Sequence, residues 1–254
     1  MKQIIPLWPR EAPYTAESPE QTQPSVKAFP AYGADIAVVV CPGGGYVRKA
    51  EHEGDPIAEM LCQSGIAGYV LDYRVSPCHP MAPLSDAQRA IRLVRSMGYR
   101  HVGILGFSAG GHLACSAATH YDAGEPDAND PLERLPCRPD FFIPCYPVVS
   151  MTQYQHDGSR RALLGKADDP DLERYFSAEL HVTSDTPPAF IWHTANDGSV
   201  PVENSLLLAA ALSKANVSFE LHIYPDGRHG LGLAEDKPVV RQWPKQCVDF
   251  IKSL

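Results

Sequence analysis

From Ile36 onward the chain repeats one pattern: a strand-sized apolar run, a break rich in glycine or proline, then a helix-length segment with apolar residues at every third or fourth position. The runs are Ile36–Val40, Gly68–Asp72, Val102–Gly106, Phe141–Val148, Ala189–Thr194 and Ser218–Tyr224. The helical segments are Asp55–Ser64, Ser85–Met97, Ala109–Thr119, Glu203–Ala215 and about Val239–Lys252. An unbroken apolar run suits a strand buried on both faces, and strands that alternate with helices pair in parallel with helices packed on either side. The pattern therefore predicts an α/β fold around a mostly parallel sheet. Ser85 is read as the N-cap of its helix and Gly98 as the residue that closes it.

Two regions fall outside the pattern. Residues 1–35 carry six prolines and little periodicity, which predicts an extended arm with at most short strands. The α/β domain is then expected over 36–254, shortened at its front with little room for strands before Ile36. The stretch from Ser150 to Pro188 contains GSRRALLG and a short helical piece near Leu172–Leu180, and is expected to form a partial cap beside the site.

A length of 254 residues fits one large domain. Thirty acidic against 22 basic side chains leave a net charge of −8 with no Lys/Arg-rich run, which argues against a nucleic-acid partner. No apolar run approaches the roughly 20 residues that cross a bilayer, so no membrane partner is expected. The first residues lack the continuous apolar stretch of a signal peptide, which favours the cytoplasm, with a removed leader as the alternative. Seven scattered cysteines without a C-x-x-C pair read as small buried hydrophobes. The 24 prolines and 19 glycines approach low-complexity usage. They concentrate in the arm and in CPGGGY, GFSAGG, NDGSVP and PDGRHG, where they read as rigid loop construction.

Gly106-Phe107-Ser108-Ala109-Gly110 is a G-x-S-x-G placed directly after a strand and before a helix. That context lets a serine sit on a strained turn with its hydroxyl above the sheet edge at a helix N-terminus. A serine hydroxyl needs a base, and the base needs an orienting carboxylate. On this kind of elbow both follow in chain order. Asp197 in HTANDGSVP and His229 in DGRHG each lie just past a strand, where a parallel sheet builds its site. Asp226 is the rival acid, in the histidine's own loop. His112 is expected to pack beneath the elbow and His193 to satisfy a core hydrogen bond. His52, His79, His101, His120, His156, His181 and His222 are read as surface or structural.

Cys41-Pro42-Gly43-Gly44-Gly45-Tyr46 follows the first long strand and offers bare backbone N–H groups. The amides of Gly44, Gly45 and Ala109 are expected to bind the oxyanion. His52-Glu53-Gly54-Asp55-Pro56 begins like H-E-x-x-H but lacks the second histidine, so no zinc site is expected. The chemistry calls for no metal and no cofactor.

With these residues in place the sequence resembles the α/β-hydrolase superfamily, and more narrowly bacterial acetylesterases and carbohydrate esterases of the acetylxylan and feruloyl type. LDYRVSP, PLSDAQRAIRLVRS, GFSAGGHLACSAATH, CRPDFFIPCYPV and ELHIYPDGRHGLGL carry the resemblance beside CPGGGY. It implies a carboxylic ester hydrolase with Ser108, His229 and Asp197 as triad, acting through an acyl-enzyme on short acyl esters of small molecules or oligosaccharides. Feruloyl esterase and a peptidase of the prolyl-oligopeptidase type are the rival enzymes, and a small-molecule binder on the same fold is the non-catalytic rival. Tyr46 and Arg160 are candidates for substrate contact. Asp86 and Arg89 are read as an ion pair, with Arg74 and Asp140 bracing loops near the site.

Overall fold

The computed structural model describes residues 3–17, 21, 23–166 and 169–254. Residues 1–2, 18–20 and 22 of the expected arm, and 167–168 of the expected cap, lie outside the described residues. Eight strands, β1 (Gln3–Pro6), β2 (Ser25–Phe29), β3 (Ile36–Cys41), β4 (Ala67–Asp72), β5 (His101–Phe107), β6 (Phe142–Cys145), β7 (Ala189–Thr194) and β8 (Phe219–Tyr224), form one sheet. Their order is β1-β2-β4-β3-β5-β6-β7-β8, antiparallel at β1/β2 and β2/β4 and parallel elsewhere. Helices α1 (Asp55–Gln63), α2 (Ala82–Ser96), α3 (Ala109–Thr119), α4 (Asp157–Leu164), α5 (Pro170–Tyr175), α6 (Glu203–Lys214) and α7 (Trp243–Ser253) complete the described regular structure beside short 3-10 turns.

Why the strands read as unbroken apolar runs is visible in β3. Successive side chains point to opposite faces. Ala37 and Val39 join one core with α2, α3 and α6, whereas Val38 and Val40 join the other with α1 and α7. Both faces are covered, so no position on β3 between Ala37 and Cys41 is free to be polar. All seven cysteines are free, and five of them are buried. Among the described residues no helix is long and apolar enough to cross a membrane.

Four expectations need correction. The front of the sheet is not shortened, because β1 and β2 lie within residues 1–35 and pair in register with β4. Leu7, Trp8 and Pro13, which follow β1, are held by side chains: Arg89 Nε donates to the Leu7 carbonyl, Arg74 donates to the Pro13 carbonyl, and both guanidinium groups lie under 6 Å from the Trp8 ring. α2 starts at Ala82, a turn before Ser85, whose N–H already donates to the Met81 carbonyl; Pro83 suits a first turn because its missing donor would be unpaired there anyway. β6 ends at Cys145, where Tyr146 turns the chain at φ 34° and Pro147 has no N–H to offer a neighbour. β8 is an edge strand, exposed or half-buried over Phe219–Ile223.

The expected Asp86–Arg89 pair is also absent. Asp86 takes both the backbone N–H and the guanidinium of Arg74, while Arg89 pairs with Asp130 and Glu133. Asp140 does brace a loop, but at the start of β5, where it accepts the Val102 N–H, the end of the strand away from Ser108.

Candidate active site

The C-terminal ends of β3, β5, β6, β7 and β8 lie at one edge of the sheet, and every residue of the site hangs from one of them or from the segment between β3 and α1. Ser108 joins β5 to α3 at φ 54° and ψ −117°, a conformation disfavoured for any residue with a Cβ. The turn is held by close packing on both sides. A Cβ on Gly106 would collide with the Gly110 carbonyl, and one on Gly110 with the Cys41 carbonyl of β3. The two glycines of G-x-S-x-G are therefore steric requirements of a helix that starts directly against two strands.

His229, in the loop after β8, places Nε2 2.8 Å from Ser108 Oγ and Nδ1 2.6 Å from Asp197 Oδ2. The carboxylate can only accept, so Nδ1 carries the proton and Nε2 is free to receive one from the serine. Asp197, in the loop after β7, has a fully buried side chain. Burial alone would raise its carboxyl, but hydrogen bonds from His193, His229 and the Val200 amide outweigh that and hold it well below the usual carboxylate range. It is a fixed anion. Asp226 takes no part in this relay; it is exposed and bonded to Asn196 and Lys237.

The glycine loop after β3 lies against the elbow. Among the described residues no protein acceptor takes the N–H of Gly44, Gly45 or Ala109, and the Ala109 amide opens α3. Tyr46 does not face the cleft: it is 1% exposed, and its O–H donates to His112 Nδ1 at 2.7 Å. His112 donates from Nε2 to the Phe176 carbonyl, and burial pushes it down to about 4, so it stays neutral beneath the elbow. His193 is likewise a core residue, bonded to Ser205 and the Val200 carbonyl.

From the Ser150–Pro188 stretch, α4 approaches the glycine loop, with Ser159 Oγ 4.0 Å from where a Gly45 Cβ would stand. Arg160 does not reach out as a substrate contact would, because its guanidinium is largely buried and paired with Glu173. His156, read from sequence as surface or structural, lies near enough to His229 for the two to influence each other; burial and then His229 lower it. Beside the His229 loop a cleft of about 320 Å³ is lined by His52, Pro56, Arg228, Leu231 and Leu233 among others. Among the described residues no three His, Cys, Asp or Glu side chains are placed to hold a metal.

The BD-FAE family profile matches residues 30–212, more than two thirds of the chain. The chain belongs to the BD-FAE family of α/β hydrolases. An acetylxylan esterase from Xylanibacter ruminicola is 36% identical over 230 residues, covering 86% of this chain and 45% of that protein. An endo-1,4-beta-xylanase B from Butyrivibrio fibrisolvens is 38% identical over 211 residues, covering 79% of this chain and 33% of that one. The chain thus spans less than half the length of these curated relatives. A crystal structure of an acetyl ester-xyloside bifunctional hydrolase from Caldicellulosiruptor lactoaceticus superposes with a TM-score of 0.95 at 46% identity, covering 99% of this chain and 96% of the other.

The BD-FAE match contains the glycine loop, Ser108 and Asp197, whereas His229 lies beyond its end. It also contains two residues that sequence reasoning passed over, Glu53 and Tyr146. Tyr146 stands edge-on to His229 with ring centroids 5.0 Å apart, and Glu53 is buried behind the glycine loop. The one sequence signal was for Glu53, a charged residue in the discarded H-E pair; Tyr146 lay inside the expected strand Phe141–Val148 and carried none.

Proposed function

We propose that this member of the BD-FAE family is a serine carboxylesterase that removes short acyl groups, acetyl first, from sugar or xylo-oligosaccharide esters. The observation that carries the reading is the relay Ser108 Oγ to His229 Nε2 at 2.8 Å and His229 Nδ1 to Asp197 at 2.6 Å, beside three amides without a protein acceptor.

In the first step His229 takes the Ser108 proton as Oγ attacks the ester carbonyl. The negative charge that develops on the carbonyl oxygen is met by the N–H groups of Gly44, Gly45 and Ala109, already in place, so no water has to reorganise. The C–O bond breaks, and the alcohol leaves with the proton from His229. Water then enters, gives its proton to His229 and attacks the acyl carbon. The acid departs as Ser108 recovers its hydrogen. Asp197, anionic throughout, holds the imidazole in the required tautomer and stabilises its cation.

The acetyl preference rests on the names borne by the relatives, an acetylxylan esterase and an acetyl ester-xyloside hydrolase. A panel of acetyl, butyryl and feruloyl esters with acetylated xylo-oligosaccharides tests it. The expected ranking of kcat/KM puts the acetylated substrates first; a feruloyl ester turned over faster than any acetyl ester replaces the acyl assignment.

A further inference from the structure

Glu53 is 2% exposed, and among the described residues no Lys or Arg pairs with it. A buried carboxylate is costly unless its oxygens are satisfied, and such groups persist where a site needs them. Both oxygens here are used. Oε2 accepts the Gly43 N–H at 2.8 Å, and Oε1 accepts the Tyr146 O–H at 2.6 Å. The hydroxyl oxygen of Tyr146 in turn accepts the Gly232 N–H at 3.0 Å, and the Gly232 carbonyl accepts Trp243 Nε1–H. His52, next in sequence, donates from Nε2 to the Gly230 carbonyl at 3.0 Å and lies 3.7 Å from Glu53 Oε1.

We infer that Glu53 is the positioning residue that fixes the glycine loop relative to the His229 loop, so that the oxyanion donors and the base are held in register through one buried carboxylate. This rests on reading Ser108, His229 and the Gly44, Gly45 and Ala109 amides as esterase machinery. The geometry is close: a Cβ on Gly43 would stand 2.6 Å from Glu53 Oε2 and 3.1 Å from Ser108 Cβ, so only the width of Gly43 separates carboxylate and nucleophile. On the other side Tyr146 touches the histidine loop at two points, its hydroxyl at Gly232 and its ring at His229.

The donor and acceptor inventory explains why the residue is a glutamate. Gly43 N–H and Tyr146 O–H are both donors, and a Tyr146 hydroxyl turned away from Glu53 would bury its own proton without an acceptor among the described residues. Two acceptors on one planar group are needed. A glutamine supplies one and turns an NH₂ toward the other donor.

The test compares wild type, Glu53→Gln, Tyr146→Phe and the double variant on p-nitrophenyl acetate, with kcat per active site after fluorophosphonate titration, KM, and the thermal midpoint. Removing one oxyanion donor outright costs about 10²–10³-fold, so loosening the loop is expected to lower kcat per titrated site about 10- to 100-fold in Glu53→Gln with KM within about 3-fold. Tyr146→Phe keeps the ring on His229 and removes only the bridging hydroxyl; it is expected to lose about 10-fold. The double variant should be little worse than Glu53→Gln, since both changes cut one linkage. A brace that serves only the fold lowers the midpoint or the titrated fraction and leaves kcat per titrated site within about 2-fold, and that result overturns the inference. If Glu53→Gln does not fold, Tyr146→Phe decides by the same criterion. A wild type that neither turns over nor titrates refutes the esterase reading instead, a different failure from full activity in the variants.

Discussion

The two sides of the site are fixed by different means. The Ser108 side stands near the middle of the sheet, where β3, β5 and α3 approach so closely that Gly106 and Gly110 have no room for a Cβ and Ser108 takes φ 54°. The His229 side stands at the sheet edge, on loops after β7 and β8 with exposed residues around Asp197 and His229. There, geometry is set by hydrogen bonds: Ser199 and Val200 amides on Asp197, Asp197 on His229, and Tyr146 on the Gly232 amide. Steric fixation tolerates no added atom, and hydrogen-bond fixation tolerates no lost partner.

The largest expected effect breaks the His229 side by removing one charge while keeping shape. Asp197→Asn presents the wrong partner to His229 Nδ1–H and should lower kcat by roughly 10⁴-fold, whereas Asp226→Asn should stay within about 2-fold. Comparable losses in the two variants would move the acid to the histidine's own loop.

Adding one carbon probes the other side. Gly106→Ala or Gly110→Ala drives a Cβ into backbone and should cost at least about 3 kcal/mol in urea unfolding, or prevent folding. Gly198→Ala, in the acid loop with open space around it, should cost under about 0.5 kcal/mol. Equal costs would dissolve the contrast.

Acid separates the two sides in a third way. Burial pushes His112, under the elbow, down to about 4 in the folded protein from the ordinary histidine value of 6.5, so the unfolded chain binds more protons and stability falls as pH drops from about 6.5 toward 4. Asp197, depressed below 3.8, keeps its contribution until pH falls below that value. Asp86, raised to about 6 by burial despite Arg74, acts in the opposite sense to His112 and favours the fold as pH falls from about 6 toward 3.8. Comparison with His112→Gln isolates the histidine: between about pH 7 and about pH 4.5 wild type should lose roughly 2 kcal/mol more than the variant. A parallel decline would mean that His112 is not the group responsible.

What was legible in the sequence follows the same division. β7 and α3 begin and end where their apolar patterns do, because both faces of the strand and most of the helix are buried and each residue carries the signal. The elbow was legible because its steric demands leave two glycines at fixed offsets. β1 and β2 were read as an arm: β1 is a four-residue edge strand with Ile4 68% exposed, too short and too wet for a period to show. The neighbours of Tyr46 and Arg160 in sequence point toward substrate, but each is held by a partner on another element, His112 on α3 and Glu173 on α5. Glu53 and Tyr146 were missed for the same reason, since the bond between them joins residues 93 apart.

The central claim is that Ser108 is the nucleophile of an esterase, and p-nitrophenyl acetate hydrolysis by wild type and Ser108→Ala tests it most directly. The account predicts turnover in wild type, a loss of at least about 10³-fold in the variant, and a covalent fluorophosphonate adduct on the wild type alone. Equal hydrolysis by the two proteins would contradict it.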